Sequence, residues 1–396
     1  MLDHCRRFLP LTWALTALSC SSSAGQGPAA DGCIAQATGT YDSVVLVQRT
    51  DGTLWVAANT QQFSRIDDPS GPLHATDSAA SGSSAYSSAI GCAIVASHVW
   101  CFPLAGPLVD STDLGAGLGF VSSNSPRQVA TAVGDSASLL SGATQLAGGM
   151  NGGGASFCAV TSDGKVWCWG YDSNGSLGNG DNQSSSYARP VLQDANNELQ
   201  DVTEVRVGFS STCARKHDGS VWCWGDNSDG ELGSLPASAN EASPLPVAVS
   251  LPAPTLRLSA SPGNTQCAIL EDTSVVCWGR NEYAQAGAPS DLQVVPPTLL
   301  RRADGSAFQG ARDLAPDRGM RAMCANTVKA GLWCWGDVLV GDDAGSPFPI
   351  LSVAERISTP LSAYGARDGR LVYADPLGRL VLGAGSPPSV RQPPCP

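Results

Sequence analysis

Fourteen cysteines in a chain of 396 residues are the side chains whose number and spacing point most directly to chemistry. Two thiols can form a disulfide in an oxidising compartment or bind a metal in a reducing one. Zinc is disfavoured, because its cysteine ligands usually come in pairs such as C-x2-C and the chain has only four histidines. Ten cysteines instead form pairs nine or ten positions apart: Cys92 and Cys101, Cys158 and Cys168, Cys213 and Cys223, Cys267 and Cys277, Cys324 and Cys334.

Two acidic segments, 172–175 and 226–230, carry enough side-chain oxygen to suggest calcium. Neither completes an EF-hand loop with its distal glutamate. Aspartate, asparagine and glycine also dominate tight turns for backbone reasons. We therefore interpret both segments as turns and predict no metal or cofactor.

Catalytic motifs are missing from the sequence: it contains no G-x-S-x-G elbow, no H-E-x-x-H pair and no Walker phosphate loop. His217 and His98 are predicted to be solvated turn residues rather than bases. Residues 50–55 weakly resemble the Asp-box of sialidase propellers, but the arginines are scattered. We expect no enzyme; the alternative is a carbohydrate-active enzyme that uses carboxylates on its loops.

The cysteine pairs belong to a repeated segment, which must position them. The four fullest copies begin at Cys158, Cys213, Cys267 and Cys324 and end in Cys-Trp-Gly, and a shorter copy spans 92–101. Two copies without cysteines surround Asp51-Gly52 and Asp368-Gly369. The chain therefore holds seven copies, at a period of roughly 52 residues.

Each copy is predicted to be a β-hairpin. Apolar and polar residues alternate from Cys158 to Cys168, and Ser162-Asp163-Gly164 forms a three-residue turn with Gly164 left-handed. Cys158 and Cys168 are equidistant from Asp163, so they should face each other within disulfide reach. Buried free thiols are the alternative.

A hairpin cannot bury its apolar face alone, but stacked copies can. Seven copies of about 50 residues suit an all-β, seven-bladed β-propeller of four-stranded blades stapled by disulfides, with a linear solenoid as the alternative. The tryptophans recur at fixed repeat positions and are predicted to be core residues, not a sugar-stacking platform. The signature positions are Gly164, Trp167, Trp169, Gly170, Gly219, Trp222, Trp224, Gly225, Trp278, Gly279, Trp335 and Gly336.

The repeat resembles that of the RCC1 (regulator of chromosome condensation) family. The matching features are Cys213-Ala214, Asp218-Gly219, Trp222 to Gly225 and the Gly-x-Leu-Gly end at 230–233. The histidine often found before Cys-Ala is absent, and the sixth and seventh copies lack the full Gly-x-Leu-Gly end. The resemblance covers about residues 44–383 and implies a seven-bladed propeller, not one function.

Family members include a guanine-nucleotide exchange factor for a nuclear small GTPase and a secreted bacterial inhibitor of β-lactamases that binds across one propeller face. The first 20 residues decide which precedent applies. A basic start, a short apolar segment and small residues predict a signal peptide over 1–20. Cys20 is an imperfect match to a lipobox and a candidate for lipidation, with plain secretion as the alternative. Residues 21–32 are predicted to be a flexible tether, and residues 33–396 the propeller.

The remaining cysteines, Cys33 and Cys395, stand near the two ends of the mature chain, and we predict a disulfide between them that closes the ring. A formal net charge of −12 makes nucleic acid a poor partner. The segment 103–154, rich in Gly, Ser and Ala, and the polar segments 181–204 and 234–254 are expected to be irregular loops that carry contacts, with unselected surface as the alternative.

Together these features predict a monomeric, non-enzymatic scaffold in the bacterial cell envelope, lipid-anchored or secreted. It would bind a protein or surface polymer through one propeller face and touch the membrane only through its N-terminal lipid. A regulator of a small GTPase is the alternative if the chain is not exported.

Overall fold

A computed structural model of the protein describes an all-β chain. It describes residues 34–39, 44–49, 51–58, 64–68, 71–81, 89–105, 126–133, 138–151, 154–234, 242–260, 264–316, 321–327, 332–337, 351–356, 372–374 and 380–382. Cys20, Cys33 and Cys395 lie outside these residues, as do the predicted signal peptide and tether. Within them, no helix has the length and apolarity needed to cross a bilayer.

The strands group into blades that follow the repeat. Blade 1 holds β1 (Ile34–Gly39), β2 (Val44–Arg49), β3 (Leu54–Ala58) and β4 (Ser64–Arg65), and blade 2 holds β7 (Asp77–Ser81), β8 (Ala89–Val95), β9 (His98–Ala105) and β10 (Arg127–Gln128). Blade 3 holds β11 (Ala143–Asn151), β12 (Gly154–Thr161), β13 (Val166–Gly170) and β14 (Ser185–Pro190), and blade 4 holds β17 (Val202–Val207), β18 (Ser211–Lys216), β19 (Val221–Gly225) and β20 (Ser243–Val249). Blade 5 holds β21 (Thr255–Ala260), β22 (Thr265–Leu270), β23 (Val275–Arg280) and β24 (Val294–Leu299), and blade 6 holds β25 (Ala311–Pro316), β26 (Ala322–Thr327), β27 (Leu332–Gly336) and β28 (Leu351–Arg356).

Two strands of the seventh repeat are described, β29 (Val372–Ala374) and β30 (Leu380–Leu382), which pair antiparallel. The part of the predicted seventh hairpin that contains Asp368-Gly369 lies outside the described residues. Two further two-stranded hairpins stand between blades: β5 (Asp67–Asp68) with β6 (Gly71–Pro72), and β15 (Leu192–Asp194) with β16 (Asn197–Glu198).

Blades 1 to 6 are antiparallel four-stranded sheets in which the strands pair in sequence order. The first strand of each sheet packs beside the first strand of its neighbour, which makes it the inner strand, and the fourth is the outer edge. The inner strands thus lie side by side around the centre, as in a β-propeller. This confirms the predicted seven-bladed propeller architecture.

The hairpins have the predicted register. Cys158 lies directly opposite Cys168, and Gly164 has φ +78° in the turn. Disulfides join all five predicted pairs, Cys92–Cys101, Cys158–Cys168, Cys213–Cys223, Cys267–Cys277 and Cys324–Cys334. Their sulfurs lie in the core, since each of these ten cysteines is at most 9% exposed.

The two sides of each hairpin face different neighbours. Cys158 and Cys168 share a core cluster with Trp224 of the following blade, and Cys213 and Cys223 share one with Trp278. The same relation places Trp335 over the blade 5 disulfide. Alternate residues of one strand therefore seal both interfaces of a blade, as the predicted core role of the tryptophans requires.

The glycine of each Trp-Gly step has a steric reason. Gly225 adopts φ +100°, and a Cβ there would collide with the carbonyl oxygen of Ser210, the residue just before β18. Gly170, Gly279 and Gly336 share this conformation. Any larger residue would push apart the strands that the disulfide holds together.

The prediction that 181–204 and 234–254 are irregular loops was wrong. The first segment contains β14, β15, β16 and the start of β17, and the second contains the outer strand β20. The segment 103–154 likewise contains β10 and β11. The outer strands β14 and β20 escaped notice because they are mostly half-buried and contain proline, so they lack the apolar alternation of the inner hairpins.

Candidate protein-binding face

The propeller has two faces that are built differently. On one face, called the turn face, lie the hairpin turns between the second and third strands, together with the connections that run from one blade to the next. On the other, called the loop face, lie the segments that join the third strand to the fourth, including the Gly-x-Leu-Gly ends.

The hairpin turns of the turn face are held by their own aspartates. The Asp218 carboxylate accepts hydrogen bonds from the Ser220 N–H (2.9 Å) and hydroxyl (2.6 Å), and in blade 5 Asp272 accepts the same bonds from Ser274. The Ser220 hydroxyl and N–H hold the pKa of Asp218 below its usual value. His217 is exposed beside this turn, as predicted, and its main-chain N–H donates to the Asp201 carbonyl at 2.8 Å.

Each turn also fastens the next blade. The N–H of Val202, the first residue of β17, donates to the Gly164 carbonyl at 2.9 Å, and Thr255 N–H donates to the Gly219 carbonyl at 2.9 Å. Main-chain hydrogen bonds between consecutive blades leave the turn face with little freedom to flex. It is therefore a rigid platform.

Two short hairpins and two isolated β-bridges, together called the arms, lie on this face between consecutive blades. They are β5–β6, the pair around Ala130 and Leu139, β15–β16, and the pair around Arg301 and Ala307. Each begins where the outer strand of one blade has ended and runs back to the inner strand of the next. Between blades 4 and 5, residues 250–254 make the connection without an arm.

The arms occupy equivalent positions between blades, but their exposed side chains differ in chemistry. The β15–β16 tip is acidic and polar, and Asp194 binds the N–H groups of Asn196 (2.9 Å) and Asn197 (3.0 Å). The arm around Leu139 instead exposes apolar side chains, with Val133 67% and Leu139 44% exposed. Exposed side chains that vary on a constant frame are typical of a recognition surface.

The rim where the inner strands begin also faces solvent. Its equivalent positions are Thr76, Thr144, Thr203, Leu256 and Arg312, all exposed. Each threonine hydroxyl donates to a carbonyl of its own blade. Leu256, 46% exposed, adds an apolar contact inside the circle of arms.

One step further along, the inner strands carry a polar residue at the same position in five blades: Asp77, Gln145, Glu204, Arg257 and Asp313. Gln145 accepts from Val205 N–H (2.9 Å) and donates to the Val205 carbonyl (3.1 Å). Glu204 likewise accepts from Leu258 N–H at 3.2 Å. These side chains bridge each inner strand to the next.

The carboxylates near the centre are occupied by these bridges. Glu204 forms ion pairs with Arg206 (2.6 Å) and Arg215 (3.2 Å), and Asp313 pairs with Arg257 (3.1 Å). A glycosidase needs two carboxyl groups facing one substrate, one as acid and one as base or nucleophile. Paired with arginines, the inner-strand carboxylates of blades 4 to 6 do not have that arrangement.

The loop face is shaped by contacts that sequence reasoning missed. The indole N–H of Trp224 donates to the Ser176 carbonyl at 2.8 Å, that of Trp278 to the Glu231 carbonyl at 2.8 Å, and that of Trp335 to the Gln285 carbonyl at 2.9 Å. Each acceptor is the second residue of the Gly-x-Leu-Gly stretch in the preceding blade, or of its degenerate copy. The signal was the co-occurrence of that stretch with a tryptophan one repeat later.

The two segments considered for calcium lie on the loop face and act as turns. Asp172 Oδ1 accepts from Ser176 N–H at 2.8 Å, and the equivalent Asn227 Oδ1 accepts from Leu232 N–H at 3.0 Å. Burial raises the pKa of Asp172. In the described part of the chain, no group of three or more acidic, cysteine or histidine side chains is arranged to hold a metal.

Sequence comparison matches part of this framework to known proteins. Two models of the regulator of chromosome condensation (RCC1) repeat match residues 163–215 and 202–231. The chain is 30% identical over 146 residues to the mitochondrial RCC1 domain-containing protein RUG3 of Arabidopsis thaliana, covering 36% of this chain and 32% of RUG3. It is 31% identical over 159 residues to the mouse E3 ubiquitin-protein ligase HERC2, covering 40% of this chain and 3% of HERC2. The chain therefore spans a third or less of these relatives.

Solved structures extend the likeness in fold to most of the chain. Prp20p of Saccharomyces cerevisiae, described with its binding properties to Gsp1p and histones, superposes with a TM-score of 0.59 at 16% identity, covering 83% of this chain and 78% of Prp20p. Human WBSCR16 superposes with a TM-score of 0.56 at 18% identity, covering 76% and 69%. Residues 163–231 are therefore similar to the RCC1 repeat, and most of the chain shares the fold of these solved structures.

Proposed function

We propose that the protein is an exported, non-enzymatic scaffold that binds a partner protein through its turn face. The observation that carries the proposal is the set of four dissimilar arms mounted on a rigid, repeating platform. Prp20p, which shares this fold, is described with its binding properties to Gsp1p and histones, and this likeness supports a protein partner. A monomer suffices, because the arms surround one face of a single chain.

The compartment is part of the proposal. Residues 1–20 act as a signal peptide, Cys20 receives a lipid, and 21–32 tether the propeller to a bacterial envelope membrane. The five buried disulfides support this, because structural disulfides persist in oxidising compartments and are rare in the cytosol.

A photo-cross-linking experiment tests the binding face. A photoreactive residue replaces Ala195 at the tip of the β15–β16 arm, or Leu292 on the loop face, both exposed. In intact cells we expect a discrete protein adduct from position 195 and none from 292. Equal adducts from both positions, or adducts that resist protease and yield to glycosidase, contradict a turn-face protein partner.

Labelling with a palmitate analogue tests the compartment separately. We expect label on the wild type, in the membrane fraction, and none on Cys20→Ala. A cytosolic, unlabelled protein with free thiols would remove the envelope proposal. It would favour the second candidate, regulation of a small GTPase, which the fold likeness to Prp20p supports.

A further inference from the structure

Glu231 occupies an unusual position for a carboxyl group. It lies in the loop-face segment between β19 and β20, with a side chain that is 0% exposed. Its main-chain carbonyl accepts the indole hydrogen bond of Trp278, which ties blade 4 to blade 5. A charge at this residue therefore sits inside the contact that joins the two blades.

Only one of the two oxygens of the Glu231 carboxyl group has a hydrogen-bond donor. Oε2 accepts from the Asp229 N–H at 2.8 Å, whereas Oε1 is buried and has no partner. Among the described residues no lysine, arginine or histidine forms an ion pair with it. An ionised carboxylate with an unsatisfied oxygen is costly to bury, while a neutral acid is much less so.

The charged groups around Glu231 do not compensate. Asp226 and Asp229, from its own segment, carry charge of the same sign. From blade 5, Arg280 pairs with Glu282 at 2.6 Å, and the Asn264 amide donates to Asp229 at 2.9 Å. Neither side chain donates to Glu231, whose Oε1 has no partner.

The equivalent positions in the neighbouring junctions are neutral. Ser176 stands there between blades 3 and 4, and Gln285 between blades 5 and 6. Burial raises the pKa of Glu231 to about 8, and the carboxylates of Asp226 and Asp229 act in the same direction. The blade 4–5 junction alone of these three holds an acid at the point of contact.

We propose that Glu231 is a proton-operated latch: as a neutral acid it holds the segment 226–234 closed beneath Trp278, and on losing its proton it releases that segment toward water. This regulation goes beyond the proposed binding function, since it concerns the loop face and needs no partner. It would let external pH set the mobility of one loop on an otherwise rigid ring.

The direction of the pH dependence follows from the linkage between proton binding by Glu231 and opening of the segment. In the released segment the carboxyl is solvated and has an ordinary pKa near 4.5, so the closed state binds the proton more tightly. The closed segment is therefore most stable at low pH. The opening constant should rise about tenfold per pH unit between roughly pH 5 and pH 8, and then level off.

Hydrogen exchange of the intact protein between pH 5.5 and 9.5 tests the latch, with rates corrected for intrinsic exchange. Protection of 226–234 should fall with pH up to about pH 8, while the matched segment 281–287, with Gln285, should stay constant. In Glu231→Gln, which removes the titration but keeps the shape, 226–234 should also stay constant. Wild-type protection that is independent of pH, or the same fall in both wild-type segments, would overturn the proposal even if the variant failed to fold.

Discussion

Blades 1 and 4 build the same hairpin from different side chains. In blade 4, Cys213 and Cys223 face each other and are bonded; in blade 1 the same register places Leu46 opposite Val56. Leu46 is 0% exposed, so an apolar pair fills the space that the disulfide fills elsewhere. The repeat needs a filled position there, and the covalent bond is an addition to that requirement.

The clamp tryptophan differs between these blades as well. Ala57 of blade 1 pairs with Val45 in the register that Trp224 has with Thr212. Blade 2 has Phe102 there, and Trp169 of blade 3 has an indole N–H without an acceptor among the described residues. From blade 4 to blade 6, where the preceding segment presents a carbonyl, the indole donates to it. The tryptophan thus fills the interface in blades 3 to 6, and in blades 4 to 6 it also forms a hydrogen bond to the preceding blade.

The largest loss of stability is expected when the packing and the hydrogen bond of this tryptophan are removed together. Trp224→Ala leaves a cavity at a 0% exposed site and should lower the free energy of unfolding by about 3–5 kcal/mol. The measurement is urea denaturation of the oxidised protein, read as a shift in midpoint at constant slope.

A matched pair of variants separates the contribution of the indole hydrogen bond from that of side-chain packing. Trp224→Phe and Trp169→Phe lose similar volume, but only the first loses a hydrogen bond, worth about 1 kcal/mol. Equal costs for the two variants would show that the indole hydrogen bond contributes nothing.

Replacing a disulfide tests what the covalent bond adds. Cys213→Ala with Cys223→Ala removes both the packing and the closure of the short hairpin loop, and should cost about 3 kcal/mol. Cys213→Leu with Cys223→Val installs the pair of blade 1 and should cost less, because the space is refilled. Denaturation of both variants and the wild type, with and without a reductant, makes the comparison. A Leu/Val variant that is no more stable than the Ala variant would contradict the prediction that refilling the space restores stability.

The hairpins, their disulfides and the propeller were within reach of sequence reasoning, because Cys158 to Cys168 combines a strict alternation with a turn that defines the register. The arms were not. Asp194 and Asn197 make their hydrogen bonds within four residues, and such local polar turns look like any exposed loop until the neighbouring blades place them on one face.

Glu231 was equally invisible for a physical reason. It sits among Asp226, Ser228 and Asp229, which reads as a solvated acidic turn, and only the packing of Trp278 over the segment buries it. Burial imposed by the next repeat cannot be deduced from the local composition of this one.

The smallest effect concerns the turn of blade 1, which has no disulfide behind it. Asp51 accepts from the N–H (2.9 Å) and hydroxyl (2.7 Å) of Thr53, whose hydroxyl oxygen in turn accepts from the Trp55 indole at 3.1 Å. Asp51→Ala should therefore cost about 0.5–1 kcal/mol. The matched Asp218→Ala should cost less, since Cys213–Cys223 holds that hairpin and the Trp222 indole has no acceptor.

The stability that Asp51 contributes should depend on pH, and the direction follows from its pKa. Partial burial raises the pKa of Asp51, but the hydrogen bonds from Thr53 and the nearby positive charge of Arg49 act in the opposite direction, and the net pKa lies below its ordinary value of 3.8. A depressed pKa contributes stability above the unfolded value, and this is lost as pH falls through the folded value. The gap in melting temperature between wild type and Asp51→Ala should thus be full at pH 6 and shrink below pH 4. A gap that stayed constant down to pH 2.5 would mean that the charge of Asp51 does not hold the turn, and that the first blade relies on Leu46 and Val56 alone.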